Sequence, residues 1–367
     1  MADIEDQAFR TTLDEHWVPA EQALPLLTAV VPNFNHGALI GEAIEALAKQ
    51  TPCPDEIIVV DDGSTDNSVV LLERLKLAYP MLRVVRFERN RGAIPAMNRG
   101  LQEARGRYVY FGAADDVTRP GLFAAMLAEL ERHPQAAFAS CEATVLDQDT
   151  GRTAPRPPVR PSYVATFLDS SQVARLLRRI DNWILTGTAV VRRDLIIGAG
   201  GFDTMLGPFA DSFVFRRLSL EYGCCFVPRD GVVWKTSSVG LSRSSVANPD
   251  AAMLTLERAL ERMRADPVFP RWYPAVFERR WRFAIGRLAS EARPMNRAVL
   301  MRLGRGAIGR AVLKRALAVD GCLGRLAALI WLTLQERPTS LLGLLRTKLS
   351  RSRFFGTDAR DQRSNSN

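Results

Sequence analysis

Short apolar runs alternate with segments of helical periodicity between Leu24 and Pro134. Apolar residues recur at helical spacing from Gly37 to Gln50, and Ser64 or Thr65 is the predicted N-cap of the second helix. Pro32 is expected to end the first strand. The strands are apolar on both faces, which predicts a mostly parallel α/β sheet with helices on both sides. Four such strands are predicted, at Leu24 to Val31, Glu56 to Val60, Leu82 to Phe87 and Tyr108 to Gly112.

Polar residues follow three of these four strands. They are Asn33 and Asn35, Asp61 and Asp62, and Asp115 and Asp116. Ligands of open parallel sheets bind at the carboxyl ends of the strands, so these residues are expected to line one site. Adjacent carboxylates repel each other, and Mg²⁺ or Mn²⁺ would relieve that repulsion. The alternatives remain open: a solvated turn with an Asp cap at Asp115-Asp116, and a helix cap beside Gly63 at Asp61-Asp62.

The rest of the chain divides into a second part of the α/β domain and a helical region. A strand is predicted from Trp183 to Val191, a helix from Asp211 to Tyr222, and Arg-rich helices from Asp250 onward. The predicted boundaries are an N-terminal extension (1–25), the α/β domain (26–245), a helical basic C-terminal region (246–355) and a disordered tail (356–367).

Charge separates the two parts. Of the net charge of +9 in 367 residues, the segment 276–367 carries +13, from 19 Lys and Arg against 6 Asp and Glu, so the first 275 residues carry −4. The five cysteines show no CxxC pair, which favours a reducing, cytoplasmic compartment. No secretory signal and no apolar run of membrane-spanning length is recognised.

The order of the polar motifs resembles the family 2 glycosyltransferases of the GT-A fold. Each motif is weak alone, but five occur in the family's order between about Leu26 and Ser242. They are PNFN at Pro32 to Asn35, DDGSTD at Asp61 to Asp66, Asn90-Arg91-Gly92 with Asn98, YFGAADD at Tyr110 to Asp116, and GGFD at Gly200 to Asp203 followed by Asp211.

The resemblance implies a role for each matching position. Asp115 and Asp116 match the metal-binding region for Mg²⁺ or Mn²⁺, and Asp211 matches the general base that acts on the acceptor hydroxyl. Direct displacement with inversion then needs no enzyme nucleophile. Nucleotide or donor binding is implied for Pro32, Phe34, Asn35, Asp61, Asp62, Asn90, Gly92, Asn98, Asp115, Thr186 and Gly187.

Three departures from the family pattern concern charged residues. Ala113 stands where the first acid of the metal motif is usual, and Ala210 stands where a Glu usually precedes Asp211. The segment from Trp234 to Ser237 offers no His for a metal, although Lys235 is a candidate source of positive charge. Trp183 is either a platform for a sugar ring or a core residue.

The expected function is an inverting transfer of a sugar from a nucleoside-diphosphate donor to a saccharide or lipid-linked acceptor in bacterial surface polysaccharide synthesis. The missing acids at Ala113 and Ala210 favour a non-catalytic sugar-nucleotide-binding scaffold as the alternative. A nucleotidyltransferase would need a Gly-rich phosphate loop where PNFNHG stands. The basic C-terminal region either contacts an anionic membrane peripherally or is a solvated helical surface, and no nucleic-acid module is recognised.

Overall fold

The computed structural model describes residues 26–157, 159–181, 183–236, 249–292, 295–319 and 321–336. The predicted N-terminal extension and C-terminal tail lie outside these residues, as does the predicted boundary at 245. The first part contains β1 (Leu27–Asn33), α1 (Ile40–Ala48), β2 (Glu56–Asp61), α2 (Ser68–Ala78), β3 (Leu82–Arg86), α3 (Ala93–Glu103), β4 (Tyr108–Phe111), β5 (Val117–Thr118) and α4 (Leu122–Arg132).

The second part adds five strands and the remaining helices. They are β6 (Phe138–Asp147), β7 (Thr153–Arg156), β8 (Thr166–Leu168), α5 (Ser170–Leu177), β9 (Ala189–Arg192), α6 (Arg193–Gly198), α7 (Ala210–Tyr222), β10 (Cys224–Thr236), α8 (Pro249–Ala265), α9 (Tyr273–Glu291), α10 (Arg297–Leu303), α11 (Gly306–Ala318) and α12 (Gly321–Glu336). Short 3₁₀ helices occupy Thr186–Thr188 and Thr204–Phe209.

These strands form one mixed sheet in the order β3-β2-β1-β4-β9-β6-β10-β5, with β7 beside β6 and β8 beside β10. β1 is parallel to β2 and β4, and β2 is parallel to β3. β9 is antiparallel to both β4 and β6. The predicted mostly parallel sheet is therefore confirmed, and its first four strands end along one edge, called the carboxyl edge below.

Alternate residues of the central strands face two different hydrophobic cores. Val30 and Ile58 pack on one face with residues of α3 and α7. Ala29 and Ile57 pack on the other face with residues of α1, α2 and α4. Strand residues are buried on both sides because helices cover both faces, which explains the continuous apolar runs in the sequence.

β1 continues through Pro32 to Asn33, so the prediction that Pro32 ends the strand is wrong. The Pro32 nitrogen faces the β4 side, because Val30, two residues earlier, uses its carbonyl on that side to accept the N–H of Gly112. β4 has already ended at this level. No ladder hydrogen bond is lost there, which makes Pro32 compatible with a central strand.

Two further local predictions are also wrong. α2 begins at Ser68 with Asn67 before it, so neither Ser64 nor Thr65 is its cap. The predicted strand from Trp183 to Val191 is extended and paired only from Ala189 onward, because a 3₁₀ turn precedes it. At the first, Ser64 and Thr65 form hydrogen bonds with Asn33 and Asn35 instead. At the second, the Thr188 hydroxyl donates to the Leu185 carbonyl within the turn.

The C-terminal helices α8 and α9 share a core with the α/β sheet. Phe209 lies 4.8 Å from Phe277 and 5.0 Å from Trp281, measured between ring centroids. Phe213 contacts Phe269 in the same cluster. The predicted helical C-terminal region is confirmed, and it packs directly beside α7. Among the described residues, no helix combines the length and apolar character needed to cross a membrane.

Candidate active site

The first polar cluster at the carboxyl edge joins the end of β1 to the loop after β2. Asn33 donates its side-chain N–H to Asp61 at 2.9 Å and to Ser64 at 3.2 Å. Asn35 has a positive φ of 56° and its side-chain oxygen accepts the backbone N–H of Thr65 at 2.8 Å. Asp61 also accepts the backbone N–H of Ser64. The PNFN and DDGSTD segments therefore hold each other in place.

Asp62 fixes a second loop at the same edge. Its two carboxylate oxygens accept the backbone N–H groups of Arg91 and Gly92, each at 2.7 Å. Gly63 has a φ of +72°, and a Cβ added there would lie 2.7 Å from the Arg89 carbonyl carbon. The close approach of the two loops therefore requires glycine at this position. Asp62 is buried and shapes the loop that contains the predicted nucleotide-binding residues Asn90 and Gly92.

Asn98 bonds with the GGFD segment. Its side-chain N–H donates to the Phe202 carbonyl at 2.8 Å, and its side-chain oxygen accepts the Phe202 N–H at 2.9 Å. A Cβ on Gly201 would lie 2.8 Å from the same Asn98 oxygen. Asn98 is therefore an architectural link between α3 and the segment that precedes α7. Its predicted contact with a nucleotide stays a prediction.

Asp115 and Asp116 follow β4 at the carboxyl edge, and both are partly buried. Burial and the neighbouring Asp115 carboxylate raise the pKa of Asp116 to about 7. The backbone N–H of Lys235 donates to Asp116 at 2.9 Å and opposes that rise. The Lys235 ammonium pairs with Glu42 at 2.7 Å, and its positive charge also opposes the rise in the pKa of Asp116.

The Thr186–Gly187 turn lies between two carboxylates. The Thr186 side chain forms a hydrogen bond with Asp211, the first acidic residue of α7. On the adjacent residue, a Cβ added to Gly187 would lie 3.8 Å from a carboxylate oxygen of Asp116. The Tyr110 hydroxyl donates to the Gly187 carbonyl at 2.9 Å. The structure thus brings together four residues that the sequence analysis placed in the site.

Asp211 is held in an environment that suits a base. Burial raises the pKa of Asp211 above its ordinary value, while hydrogen bonds from Thr186 and Ser212 and the charge of Arg216 oppose the rise. A carboxylate of raised pKa takes up a proton more readily near neutral pH. The opposing hydrogen bonds fix the direction in which its oxygen atoms point.

The carboxylates of Asp115 and Asp116 fit a divalent cation whose remaining coordination positions are filled by a bound ligand. In the described part of the chain, no group of three or more His, Cys, Asp or Glu residues is placed to hold a metal. Mg²⁺ is commonly held by one or two carboxylates together with substrate phosphates. Two adjacent carboxylates, one with a raised pKa, match that requirement, since a bound cation would relieve the repulsion between Asp115 and Asp116.

Two groups near the edge were missed by the sequence analysis. Asp181 accepts the Arg216 Nε–H at 2.8 Å and the Tyr273 hydroxyl at 3.1 Å, which fixes α7 against α9. Arg156 lies 5.8 Å from the Trp234 ring centroid, and burial together with the Arg287 charge lowers the pKa of Arg156. Neither group has a motif, because each is assembled from segments far apart in sequence.

A mixed sheet of this order, with paired carboxylates at its carboxyl edge and a separate, partly buried carboxylate on α7, has the GT-A fold. The match to known sequences agrees. Residues 28–195 match the family model described as glycosyl transferase family 2. The matched segment ends before Asp211, so the position of Asp211 rests on the geometry described above.

Curated relatives and solved structures resemble different portions of the chain. An uncharacterized glycosyltransferase, YibD of Escherichia coli (strain K12), is 33% identical over 174 residues, which cover 47% of this chain and 49% of YibD. The chain therefore spans about half the length of this relative.

Two solved structures share the fold at low sequence identity. S. aureus TarS 1-349 in complex with UDP-GlcNAc has a TM-score of 0.60 at 16% identity, covering 86% of this chain and 93% of that one. A mannosyltransferase from Pyrobaculum calidifontis in complex with GDP-Man and Mn²⁺ has a TM-score of 0.52 at 20% identity, covering 85% and 87%. Both likenesses extend beyond the sheet, because 85% of the chain is more than the stretch from Leu27 to Thr236 that contains the strands.

Proposed function

We propose that the protein is an inverting glycosyltransferase that moves a sugar from a nucleoside-diphosphate donor to a hydroxyl group of a saccharide or lipid-linked acceptor. The observation that carries the proposal is the Thr186–Gly187 turn, which lies between Asp211 and Asp116. One carboxylate is thereby available to the acceptor and the other to the donor diphosphate. The nucleotide sugars bound by TarS and by the Pyrobaculum enzyme support the choice of donor class.

The proposed reaction is a single displacement. The acceptor oxygen forms a bond to the anomeric carbon while the bond from that carbon to the diphosphate oxygen breaks. The acceptor proton passes to the Asp211 carboxylate, whose pKa is raised by burial, and the electron pair leaves with the nucleoside diphosphate. Attack from the face opposite the leaving group inverts the anomeric carbon.

Asp115 and Asp116 would hold Mg²⁺ or Mn²⁺ together with the donor diphosphate. A divalent cation supplies stabilisation of the negative charge that develops on the leaving diphosphate. The loops fixed by Asp61 and Asp62 would hold the nucleoside, with the partly exposed Phe34 ring beside it. The free thiols of Cys53, Cys141, Cys224 and Cys225 support a reducing, cytoplasmic location.

Arg156 is the cation proposed to face the anionic part of a ligand. It carries no hydrogen bond or ion pair to another side chain within the described segments, and it lies beside Trp234, one residue from the Lys235 N–H that bonds Asp116. Arg156→Gln should raise the KM for the donor about tenfold, in line with the loss of a charge-assisted contact. An unchanged KM would remove Arg156 from the site.

The decisive experiment measures donor binding and sugar transfer separately. Asp211→Asn should lower kcat about 10²–10⁴-fold while nucleoside-diphosphate affinity stays unchanged, because only proton removal is lost. Asp194→Asn is the matched control, since Asp194 also lies in the first turn of a helix but beside Arg192 at the opposite edge of the sheet. Full activity in Asp211→Asn would exclude Asp211 as the base.

The alternative function is a non-catalytic nucleotide-sugar-binding scaffold. Ala113 and Ala210 favour it, because each stands where a carboxylate is usual in the family that this chain resembles. The scaffold predicts nucleoside-diphosphate binding with Mn²⁺ but no transfer to any acceptor and no release of the donor sugar. A thermal-shift screen of nucleoside diphosphates with Mn²⁺ identifies the donor base first, since a bound ligand raises the melting temperature.

A further inference from the structure

α12 exposes a continuous apolar face. Leu323, Leu326, Ile330 and Leu334 keep 66%, 55%, 52% and 61% of their residue surface exposed. Spacings of three and four residues place all four on one side of the helix. Single exposed apolar residues are ordinary on protein surfaces, but a contiguous row indicates a contact surface. We call these four residues the α12 stripe.

The opposite side of α12 already provides the helix with its packing. Ala328 and Leu332 are fully buried in the core of the C-terminal helices. Glu336 is also fully buried and pairs with Arg282 at 3.0 Å and with Arg305 at 3.0 Å. The α12 stripe therefore does not take part in packing α12 against the described residues, and it is free to contact something outside them.

The helix that packs against α12 exposes basic residues without acidic partners among the described residues. α11 packs against α12 and exposes Arg310, Lys314 and Arg315, and none of the three forms an ion pair with a described residue. α11 also exposes Ile308, at 78% of its surface. In the described residues from 295 onward, the single acid is the buried Glu336. This surface combines apolar side chains with unneutralised positive charge.

The chain that follows α12 has the same composition. Residues 337–355 contain five Lys and Arg, no Asp or Glu, and repeated Leu and Phe. A segment of this charge that follows α12 in the sequence adds to the attraction of the region for an anionic surface. An acidic cover would be expected if the region bound another part of this chain through charge.

We propose that the α12 stripe and the basic residues of α11 form a surface that binds an anionic lipid bilayer peripherally. Apolar side chains of such a surface enter the boundary between headgroups and acyl chains, while Lys and Arg contact the anionic headgroups. The two contributions act together, since neither a small apolar face nor a few charges alone gives stable attachment. The inference does not depend on the transferase activity proposed above.

The test is co-sedimentation of the full chain with vesicles of phosphatidylcholine mixed with phosphatidylglycerol. Binding to these vesicles, and little binding to pure phosphatidylcholine vesicles, is the expected result. A variant with Leu326→Glu and Ile330→Glu should bind the mixed vesicles at least about tenfold more weakly. Leu77→Glu is the matched control, because Leu77 is 88% exposed on α2 in the α/β domain, and it should bind as the unmodified chain does.

A second variant keeps the test informative if the stripe variant is unstable. Lys314→Ser with Arg315→Ser changes only exposed residues of α11 and should weaken binding to the mixed vesicles about tenfold as well. Equal binding by this variant, or no vesicle binding by the full chain, would overturn the proposal. A clear fall in the melting temperature of the stripe variant would also overturn it, by showing that another part of the chain covers the stripe. Dimers dispersed by the stripe variant would assign the face to a second copy instead.

Discussion

The carboxylate of Asp62 accepts the backbone N–H of Gly92 at 2.7 Å, across two loops that follow different strands. Its other oxygen accepts the N–H of Arg91 at the same distance. The two bonds turn a buried carboxylate into the support of the loop 90–92. In the proposed function, the DDGSTD motif would act on a nucleotide through the loop that Asp62 positions.

Asp62→Asn should destabilise the fold and loosen nucleotide binding. An amide has one acceptor oxygen, so one of the two N–H groups is left without a partner at a cost of about 1–3 kcal/mol. Urea unfolding measures the stability and calorimetry measures nucleoside-diphosphate affinity. Asp55→Asn is the control, because Asp55 also accepts two backbone N–H groups, from Leu26 and Leu27, but at the amino ends of the strands. Weaker nucleotide binding in both variants would contradict a local effect of Asp62.

Asp116 should make both stability and metal binding depend on pH. Its pKa in the folded chain is about 7, above the ordinary Asp value of about 4. The folded state therefore holds this proton more tightly, and the stabilisation is complete below about pH 4 and is lost as the pH rises through about 7. In the absence of metal, Asp116→Asn should remove this part of the pH dependence, with an upper limit of about 4 kcal/mol.

Mn²⁺ affinity should rise as the same proton leaves. Below about pH 7 each unit of pH should cost up to about tenfold in affinity, since the cation competes with the proton on Asp116. Titration with Mn²⁺ and a nucleoside diphosphate at several pH values measures this slope. Asp115→Asn should shift the dependence to lower pH, because the Asp115 charge contributes to the raised pKa. A slope that is the same in all variants would exclude Asp116 as a ligand.

Asn98 should matter for stability more than for nucleotide affinity. Asn98→Ala removes both hydrogen bonds to Phe202 and leaves two partly buried backbone groups without these partners, at about 1–3 kcal/mol each. Gln102→Ala, on an exposed position of the same helix, is the matched control. Thermal unfolding and nucleoside-diphosphate titration separate the two roles. A loss of affinity without a loss of stability would instead support the nucleotide contact that the family resemblance implies.

The sequence predicts the carboxyl edge well because apolar runs end where the strands end, and the polar residues that follow are then brought together by a parallel sheet. The sequence does not predict which polar side chains already have hydrogen-bond or ion-pair partners within the fold. Asn98 and Phe202 are 104 residues apart, and no local pattern indicates their pairing. Lys235 shows the same limit, because its ammonium bonds with Glu42, which lies 193 residues earlier in the sequence.

The attachment of α7 to the C-terminal helices should control the placement of Asp211. Asp181 is the shared acceptor of Arg216 on α7 and Tyr273 on α9, and Arg280 on α9 lies 3.6 Å from it. Asp181→Asn leaves the buried Arg216 guanidinium without a carboxylate, which should destabilise the fold by about 3–5 kcal/mol. Tyr273→Phe removes one hydrogen bond and should cost about 1 kcal/mol.

Comparing kcat in Asp181→Asn and Tyr273→Phe tests whether the contact between α7 and α9 influences the site. Both variants should lower kcat in proportion to the loss of folded chain. Asp181→Asn should also lower kcat of the folded fraction, because Arg216 loses the carboxylate that holds it, and the Arg216 charge opposes the rise in the pKa of Asp211. Urea unfolding gives the stabilities, and the pH profile of kcat gives the pKa of the base. If Asp181→Asn leaves that profile unchanged, the Asp181 contact fixes α7 to α9 without influencing the base. A chain truncated before α8 would expose Phe209 and Phe213, so it is expected to aggregate rather than retain activity.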